Sequence, residues 1–318
     1  LLYSMANKED YIYSLIKKFP EEIEKAYSLE VPNHWKDFNR VVIIGMGGSY
    51  ITGLVFKEFV KDEIKMPIEV YSGDIPFVDD NTLVILISYS GNTKEIVSAF
   101  WNLRKRNLVV ISSGGKLEKL AKKKKKCFIK IEKNLHPRFT FNSCFFPLLK
   151  FFEKMRFLKS KQKIVDRIVL SLKINQEEIE NHAISFARKL YYTNPVFYGS
   201  NYFYPVCYRL QTSIEEDAKV LCHSNKITEL FHNELESFPN SNIPFLILDK
   251  SDISKYKKQM KYFKGLLSDY FEFPFEKHLR EERVFLAFYF ADFLGYYLSK
   301  LKLTAMGETP LSDKIKKL

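Results

Sequence analysis

Apolar positions change their period at residue 41. Upstream they recur at helical spacing: Ile12, Leu15 and Ile16 mark a helix over 10–18, and 21–27 continues it after Pro20. From Val41 onward, short unbroken apolar runs take over at 41–44, 68–71, 83–87, 108–112 and 127–131. Strands with one wet face alternate apolar and polar residues; unbroken runs predict strands covered on both faces. Amphipathic stretches at 49–61, 93–106 and from 116 onward predict the covering helices. The fold class is therefore α/β, a doubly wound parallel sheet flanked by helices, with ligands expected at the strand C-terminal ends.

A helical connection follows over about 143–194, apolar on one side at 145–158 and amphipathic at 164–187. Then the scheme restarts. Pro195-Val196-Phe197-Tyr198-Gly199-Ser200 reads as a strand followed by Gly-Ser, and 202–217 as its helix. Phe245-Leu246-Ile247-Leu248 echoes the strand at 83–87, but Asp249-Lys250-Ser251 follows where the first copy has hydroxyls. The chain reads as a degenerate tandem repeat with two domains, 1–150 and 151–318, of which the first keeps a ligand loop. Residues 281–300 form a long helix carrying Phe285, Phe288, Phe290, Phe293 and Leu294, a core or dimer contact, and 304–318 is a tail.

Two loops carry chemistry. Gly45-Met46-Gly47-Gly48-Ser49 ends the first strand, and Ser88-Tyr89-Ser90-Gly91-Asn92-Thr93 ends the strand at 83–87. Glycines let backbone N–H groups approach a ligand, and a helix start adds partial positive charge. Ser88, Ser90 and Thr93 add three hydroxyls suited to the several oxygens of one phosphate. Tyr50 stands where a dinucleotide fingerprint needs its third glycine, and the Gly-Lys-Ser/Thr of a P-loop is missing. A phosphorylated small molecule is the expected ligand, with Gly47, Gly48, Ser49, Ser88, Ser90 and Thr93 in the cradle.

The 318 residues are 46% hydrophobic, enough for large cores, and no run of eighteen apolar residues occurs. With no basic-then-apolar leader pattern at the start, a cytoplasmic location is expected, without membrane association. Cys127, Cys144, Cys207 and Cys222 are far apart, which points to free, mostly buried thiols and no zinc site. Net charge is +12. The basic run 122–126 closes a predicted helix, where cations complement the dipole and face water, and no nucleic-acid module accompanies it. A positive field would instead draw in an anionic sugar phosphate.

These motifs resemble the sugar isomerase (SIS) superfamily, and their order along the chain is similar to the archaeal-type bifunctional phosphoglucose/phosphomannose isomerases. The likeness includes both loops, Pro137-Arg138, Glu216-Asp217-Ala218-Lys219, Glu229-x-x-His232-Asn233-Glu234, Thr309-Pro310 and Ile315-Lys316. It implies two tandem SIS-type domains and a metal-independent, cofactor-free interconversion of glucose 6-phosphate and mannose 6-phosphate with fructose 6-phosphate through a cis-enediol. Moving a proton between C1 and C2 needs a carboxylate, and the developing oxyanion needs a cation.

By resemblance Glu216 is that base and Arg138 stabilises the enediolate, while His232 and Lys316 open the sugar ring. His232 would serve the partner subunit's site in a homodimer. Thr309 would lie by the sugar's C1 to C3 edge, where a small side chain leaves room to process both C2 epimers. The family commonly flanks its base with asparagine, whereas Glu215 and Asp217 stand here. If near and buried they would raise the base's pKa, and if exposed they would do little. Another SIS phosphosugar isomerase and a non-catalytic sugar-phosphate regulator remain as alternatives.

Overall fold

The computed structural model describes residues 11–34, 37–133, 135–237 and 243–315. They form two compact units, one of residues 18–169 and one in which 11–17 joins the chain from 170 onward.

In the first unit, α1 (Phe19–Tyr27) leads to β1 (Arg40–Gly45), α2 (Gly48–Val60), β2 (Ile68–Ser72) and β3 (Thr82–Ile87). Then come α3 (Lys94–Leu103), β4 (Asn107–Ser112), α4 (Gly115–Lys123), β5 (Cys127–Lys130) and α5 (Phe141–Lys154). The sheet is parallel throughout, in the order β2-β1-β3-β4-β5. Val41 pairs with Ile68 on one side and Leu83 on the other, and Leu83 with Asn107. Every residue of β3 and β4 is buried, as their unbroken apolar runs require. On one face Val42, Ile44, Val84, Leu86 and Val110 pack on Ile96, Phe100, Leu103, Leu117 and Ala121 of α3 and α4. Away from that cluster α2 meets α5, with Phe56 and Phe152 ring centroids 4.8 Å apart and Phe59 and Phe145 5.4 Å apart.

This strand order has a consequence for ligands. From β1 the chain steps outward to β2 on one side and to β3 on the other, so β1 and β3 flank the topological switch point, where open α/β sheets bind ligands. Both signature loops leave these two strands at their C-terminal ends.

The second unit repeats the plan with one strand fewer. A connecting helix α6 (Gln162–Ile174) carries the division between the units and leads to α7 (Gln176–Lys189). Then follow β6 (Val196–Gly199), α8 (Tyr204–Asp217), β7 (His223–Lys226), α9 (Ile227–His232) and β8 (Pro244–Ile247). The chain closes with α10 (Lys250–Lys255), α11 (Lys257–Leu266), β9 (Phe271–Glu272), α12 (Arg280–Leu301) and α13 (Pro310–Ile315). Its parallel sheet runs β7-β6-β8-β9, so β6 and β8 hold the places of β1 and β3, as the tandem echo predicts. Val196, Tyr198, Leu246 and Leu248 pack on Ile227, Leu230, Met260 and Phe263. Elsewhere in this core Phe186, Phe245, Phe271 and Phe290 form an aromatic stack with centroids 4.5 to 6.3 Å apart.

Helix α12 is long and apolar enough to cross a membrane by length and composition, yet 83% of its apolar window is buried inside the fold. It is the core helix of this unit, lying against α7 and α8. One of its contacts is an ion pair, Arg209 to Asp292 at 2.7 Å, with both side chains buried.

The packing division falls later than the boundary at 150/151 read from the sequence, because the phenylalanines of α5 close over α2 and α1. Residues 11–17 belong with the second unit for an equally local reason. The Tyr13 hydroxyl donates to Glu180 at 2.8 Å, its ring lies 5.5 Å from that of Tyr296, and Lys17 pairs with Glu180 at 3.3 Å. The basic run behaves as a helix end: Lys122 pairs with Glu118 at 3.1 Å, Lys126 donates to the Arg106 carbonyl at 2.7 Å, and Lys123 to Lys125 are exposed.

Candidate active site

Gly47 caps α2 at φ +52°, a left-handed conformation, and Gly48 opens the helix. A Cβ built on Gly48 would meet nothing within 4 Å, so the space over the helix start is open. The first turn of α2 holds no acidic residue, which leaves its positive end uncompensated by charge. Ser49 is half-buried on that turn, and its amide donates to the Met46 carbonyl at 3.1 Å.

The neighbouring loop is more tightly braced. The Ser88 amide extends the β3–β4 ladder by donating to the Ile111 carbonyl at 3.1 Å, and its buried hydroxyl shares a 2.8 Å hydrogen bond with the Thr93 hydroxyl. Thr93 is the N-cap of α3, and Ser90 is exposed, its hydroxyl accepting from the Asn92 amide at 3.2 Å. Gly91 at φ +65° presses so closely on the next loop that a Cβ there would lie 1.9 Å from the Gly114 carbonyl oxygen. The six residues expected in the cradle thus sit on two loops at the ends of paired strands, the second of them held from behind.

Arg138 lies in the same unit. It is 7% exposed and stands in a single 3-10 turn, Pro137–Phe139, whose entry is fixed by its own amide donating to His136 Nδ1 at 3.3 Å. Tyr89, which sequence reasoning quoted within the loop and gave no role, reaches this segment. Its hydroxyl donates to the Leu135 carbonyl at 3.2 Å and accepts from the Leu135 amide at 2.7 Å. No spacing signals such a contact; a tyrosine between two serines reads locally as a turn residue.

The second unit carries the other expected residues. Glu216 is the penultimate residue of α8 and is exposed, whereas Asp217 is fully buried. The Asp217 carboxylate fits against Gly295 of α12, where a Cβ would be 2.7 Å from Oδ2. Glu215 is half-buried and accepts from Gln211 at 3.0 Å. The flanking carboxylates therefore have separate surroundings: one faces the core and one is tied to the preceding turn.

Lys219, at φ +58°, folds back so that its ammonium donates to both the Glu216 and the Glu308 carbonyls. The Thr304 hydroxyl donates to the Asp217 carbonyl at 2.7 Å. These bonds cap the end of α8 and bring the segment before Thr309 beside Glu216. Thr309 itself immediately precedes α13, and Lys316 lies outside the described residues.

His232 ends α9 and is exposed. Two residues on, Glu234 is clamped: it accepts from the Tyr198 hydroxyl at 2.7 Å, lies 3.1 Å from His223 Nε2 and accepts from the Asn225 amide. Burial alone would raise its pKa, but the hydrogen bonds from Tyr198, Asn225 and His223 outweigh it and hold the carboxyl below its ordinary value. Among the described residues no cluster of three His, Cys, Asp or Glu side chains is placed to hold a metal ion.

Residues 36–140 match the SIS domain family, and 179–318 match the bacterial phospho-glucose isomerase C-terminal SIS domain. A bifunctional phosphoglucose/phosphomannose isomerase from Thermoplasma volcanium is 32% identical over 290 residues, covering 88% of this chain and 91% of that protein. The chain belongs to the bifunctional phosphoglucose/phosphomannose isomerase family. A second bifunctional phosphoglucose/phosphomannose isomerase, from Caldicellulosiruptor bescii, is 30% identical across 91% of this chain and 93% of its own. A D-glucosamine-6-phosphate 4-epimerase from Sulfolobus acidocaldarius is 26% identical across 80% of this chain and 85% of its own. The C-terminal domain of glucosamine-fructose-6-phosphate aminotransferase from Francisella tularensis shares the fold at a TM-score of 0.76, with 14% identity and coverage of 93% and 97%. This phosphoglucose/phosphomannose isomerase family member is thus an isomerase built from two SIS domains.

Proposed function

We propose that this enzyme interconverts glucose 6-phosphate and mannose 6-phosphate with fructose 6-phosphate, without metal or cofactor, in the cytoplasm. The observation that carries the proposal is the pairing of two anion-suited loops at the switch point of one sheet, in a chain similar to bifunctional isomerases over nearly its whole length. The four free cysteines suit a reducing compartment.

In this mechanism the 6-phosphate sits over the start of α2, with the backbone of Gly47 and Gly48 and the hydroxyls of Ser49, Ser88, Ser90 and Thr93 around it. His232, supplied by the partner subunit of a homodimer, and Lys316 open the ring by moving protons at O5 and the anomeric hydroxyl. Glu216 then takes the C2 proton of the aldose. The released electron pair forms the C1–C2 double bond of a cis-enediol, and the C1 oxygen gains a proton. Collapse of the enediol makes the C2 carbonyl and returns the proton to C1, so atoms and charge balance without an outside oxidant. Arg138 offsets charge on the enediolate oxygens, and Thr309 leaves space for both C2 configurations.

The decisive assay follows aldose formation from fructose 6-phosphate, on both epimers, in the presence of a chelator, together with exchange of the C2 hydrogen into solvent. Turnover with exchange is expected, and binding without exchange would make the protein a sugar-phosphate regulator. Glucosamine 6-phosphate is included because one relative is named a 4-epimerase of that sugar. Selective conversion of the amino sugar at C4 would replace the present assignment.

A further inference from the structure

We propose that Tyr89 is a positioning residue that sets Arg138 against the phosphate cradle. It belongs to the loop whose Ser88, Ser90 and Thr93 are the proposed phosphate-binding hydroxyls, yet its side chain turns to the segment preceding Arg138. One phenol makes two hydrogen bonds to a single residue, accepting from the Leu135 amide at 2.7 Å and donating to its carbonyl at 3.2 Å. Such a pair does what one rung of a strand ladder does, between two segments 46 residues apart in sequence.

Both ends of the link are stiff. The Tyr89 carbonyl accepts from the Ser113 amide at 2.9 Å and from the Ser113 hydroxyl at 2.7 Å, which ties the tyrosine's backbone to the end of β4. Burial raises the phenol's pKa, so it keeps its proton and can go on donating. On the far side, only His136 and Pro137 separate Leu135 from Arg138. His136 Nδ1 accepts from the Arg138 amide at 3.3 Å, its carbonyl accepts from the Phe139 amide at 2.9 Å, and the Thr140 hydroxyl donates to the Pro137 carbonyl at 3.0 Å. Pro137 fixes its own φ in this turn. A shift of Leu135 is therefore passed on to Arg138, while the backbone bonds of the Ser88–Thr93 loop hold the cradle in place.

Tyr89's role presupposes the isomerase site described above, and the test separates the two. In Tyr89→Phe the ring stays and only the hydroxyl is lost. Expected results are a fall in kcat of about ten-fold for fructose 6-phosphate, in line with small misplacements of a catalytic group, with KM and the inhibition constant of inorganic phosphate changed less than two-fold. Combined with Arg138→Ala, the loss should be no larger than for Arg138→Ala alone, because the hydroxyl acts only through the guanidinium.

Hydrogen–deuterium exchange supplies a readout that needs no turnover. Amides of 135–139 should exchange faster in Tyr89→Phe, and those of 83–93 should not. Multiplicative losses in the double variant, a rise in the phosphate inhibition constant equal to the loss in kcat, or unchanged exchange at 135–139 would each overturn the positioning role. A wild-type protein without hexose-phosphate turnover, but with the local exchange effect, would instead refute the isomerase assignment and leave the mechanical link standing.

Discussion

Gly48 opens α2 beneath empty space, with no left-handed φ that would demand glycine there. In the proposed cradle its lack of a side chain leaves room for the phosphate. Gly48→Ala should leave the melting temperature within about 2 °C, since alanine is the better helix former, and should weaken inhibition by inorganic phosphate about ten-fold or more. Unchanged inhibition would remove Gly48 from the cradle. Glu216 offers the complementary case, a residue proposed for turnover and not for binding the phosphate. Glu216→Gln should lower kcat by about three orders of magnitude or more, the scale of a lost general base, with phosphate inhibition intact. Appreciable turnover in that variant would assign the base elsewhere. Tyr89 shows what residue-level reading overlooks, because its contact to Leu135 depends on a chain segment the local pattern does not name.

The helices that carry these residues are held by polar devices that sequence patterns half reveal. Helix α8 is fixed to α12 by the buried pair of Arg209 and Asp292, so Asp292→Ala should cost about 3 kcal/mol or more, because removing one partner leaves the other charge buried. Chemical denaturation reads that loss, and a change under 1 kcal/mol would show that the pair contributes little. Glu234 is the corresponding device for α9. Its carboxyl titrates below the ordinary range in the folded state, so its contribution is complete above the unfolded pKa of about 4.3. That contribution disappears as pH falls through the lowered folded value. Glu234→Gln should therefore cost about 1–2 kcal/mol near neutrality and make stability fall less steeply on acidification below about pH 4. Parallel stability profiles for variant and wild type would show that the clamp does not titrate with folding. Strand β7 escapes the hydrophobic pattern for a related reason: His-Ser-Asn-Lys contains no apolar residue, and among the described residues this edge strand pairs only with β6.

At the scale of the whole molecule, the proposed sharing of His232 between subunits makes a prediction that neither domain makes alone. Equal amounts of Glu216→Gln and His232→Asn protein, each inactive, should recover about a quarter of wild-type activity after dissociation and reassociation, because half the dimers are hybrids with one complete site in two. No recovery would place both residues in sites formed within one subunit. The fold beneath this was largely written in the hydrophobic pattern. Unbroken apolar runs suit strands covered on both faces, so the first sheet, its helices and the tandem echo at β6 and β8 are legible in the period, while β7, with no apolar residue, is not; the glycine and hydroxyl loops mark the proposed ligand edge of the first sheet. Tertiary structure decided what depends on partners distant in sequence. It moved the division to 169/170 and joined 11–17 to the second unit, since Phe56, Tyr13 and Glu180 choose their neighbours by packing. It paired Arg209 with Asp292, turned Asp217 into the core while leaving Glu216 exposed, and gave Tyr89 its grip on Leu135. Period is a local property that each segment carries with it, whereas a buried polar group finds its partner only when the chain has closed around it.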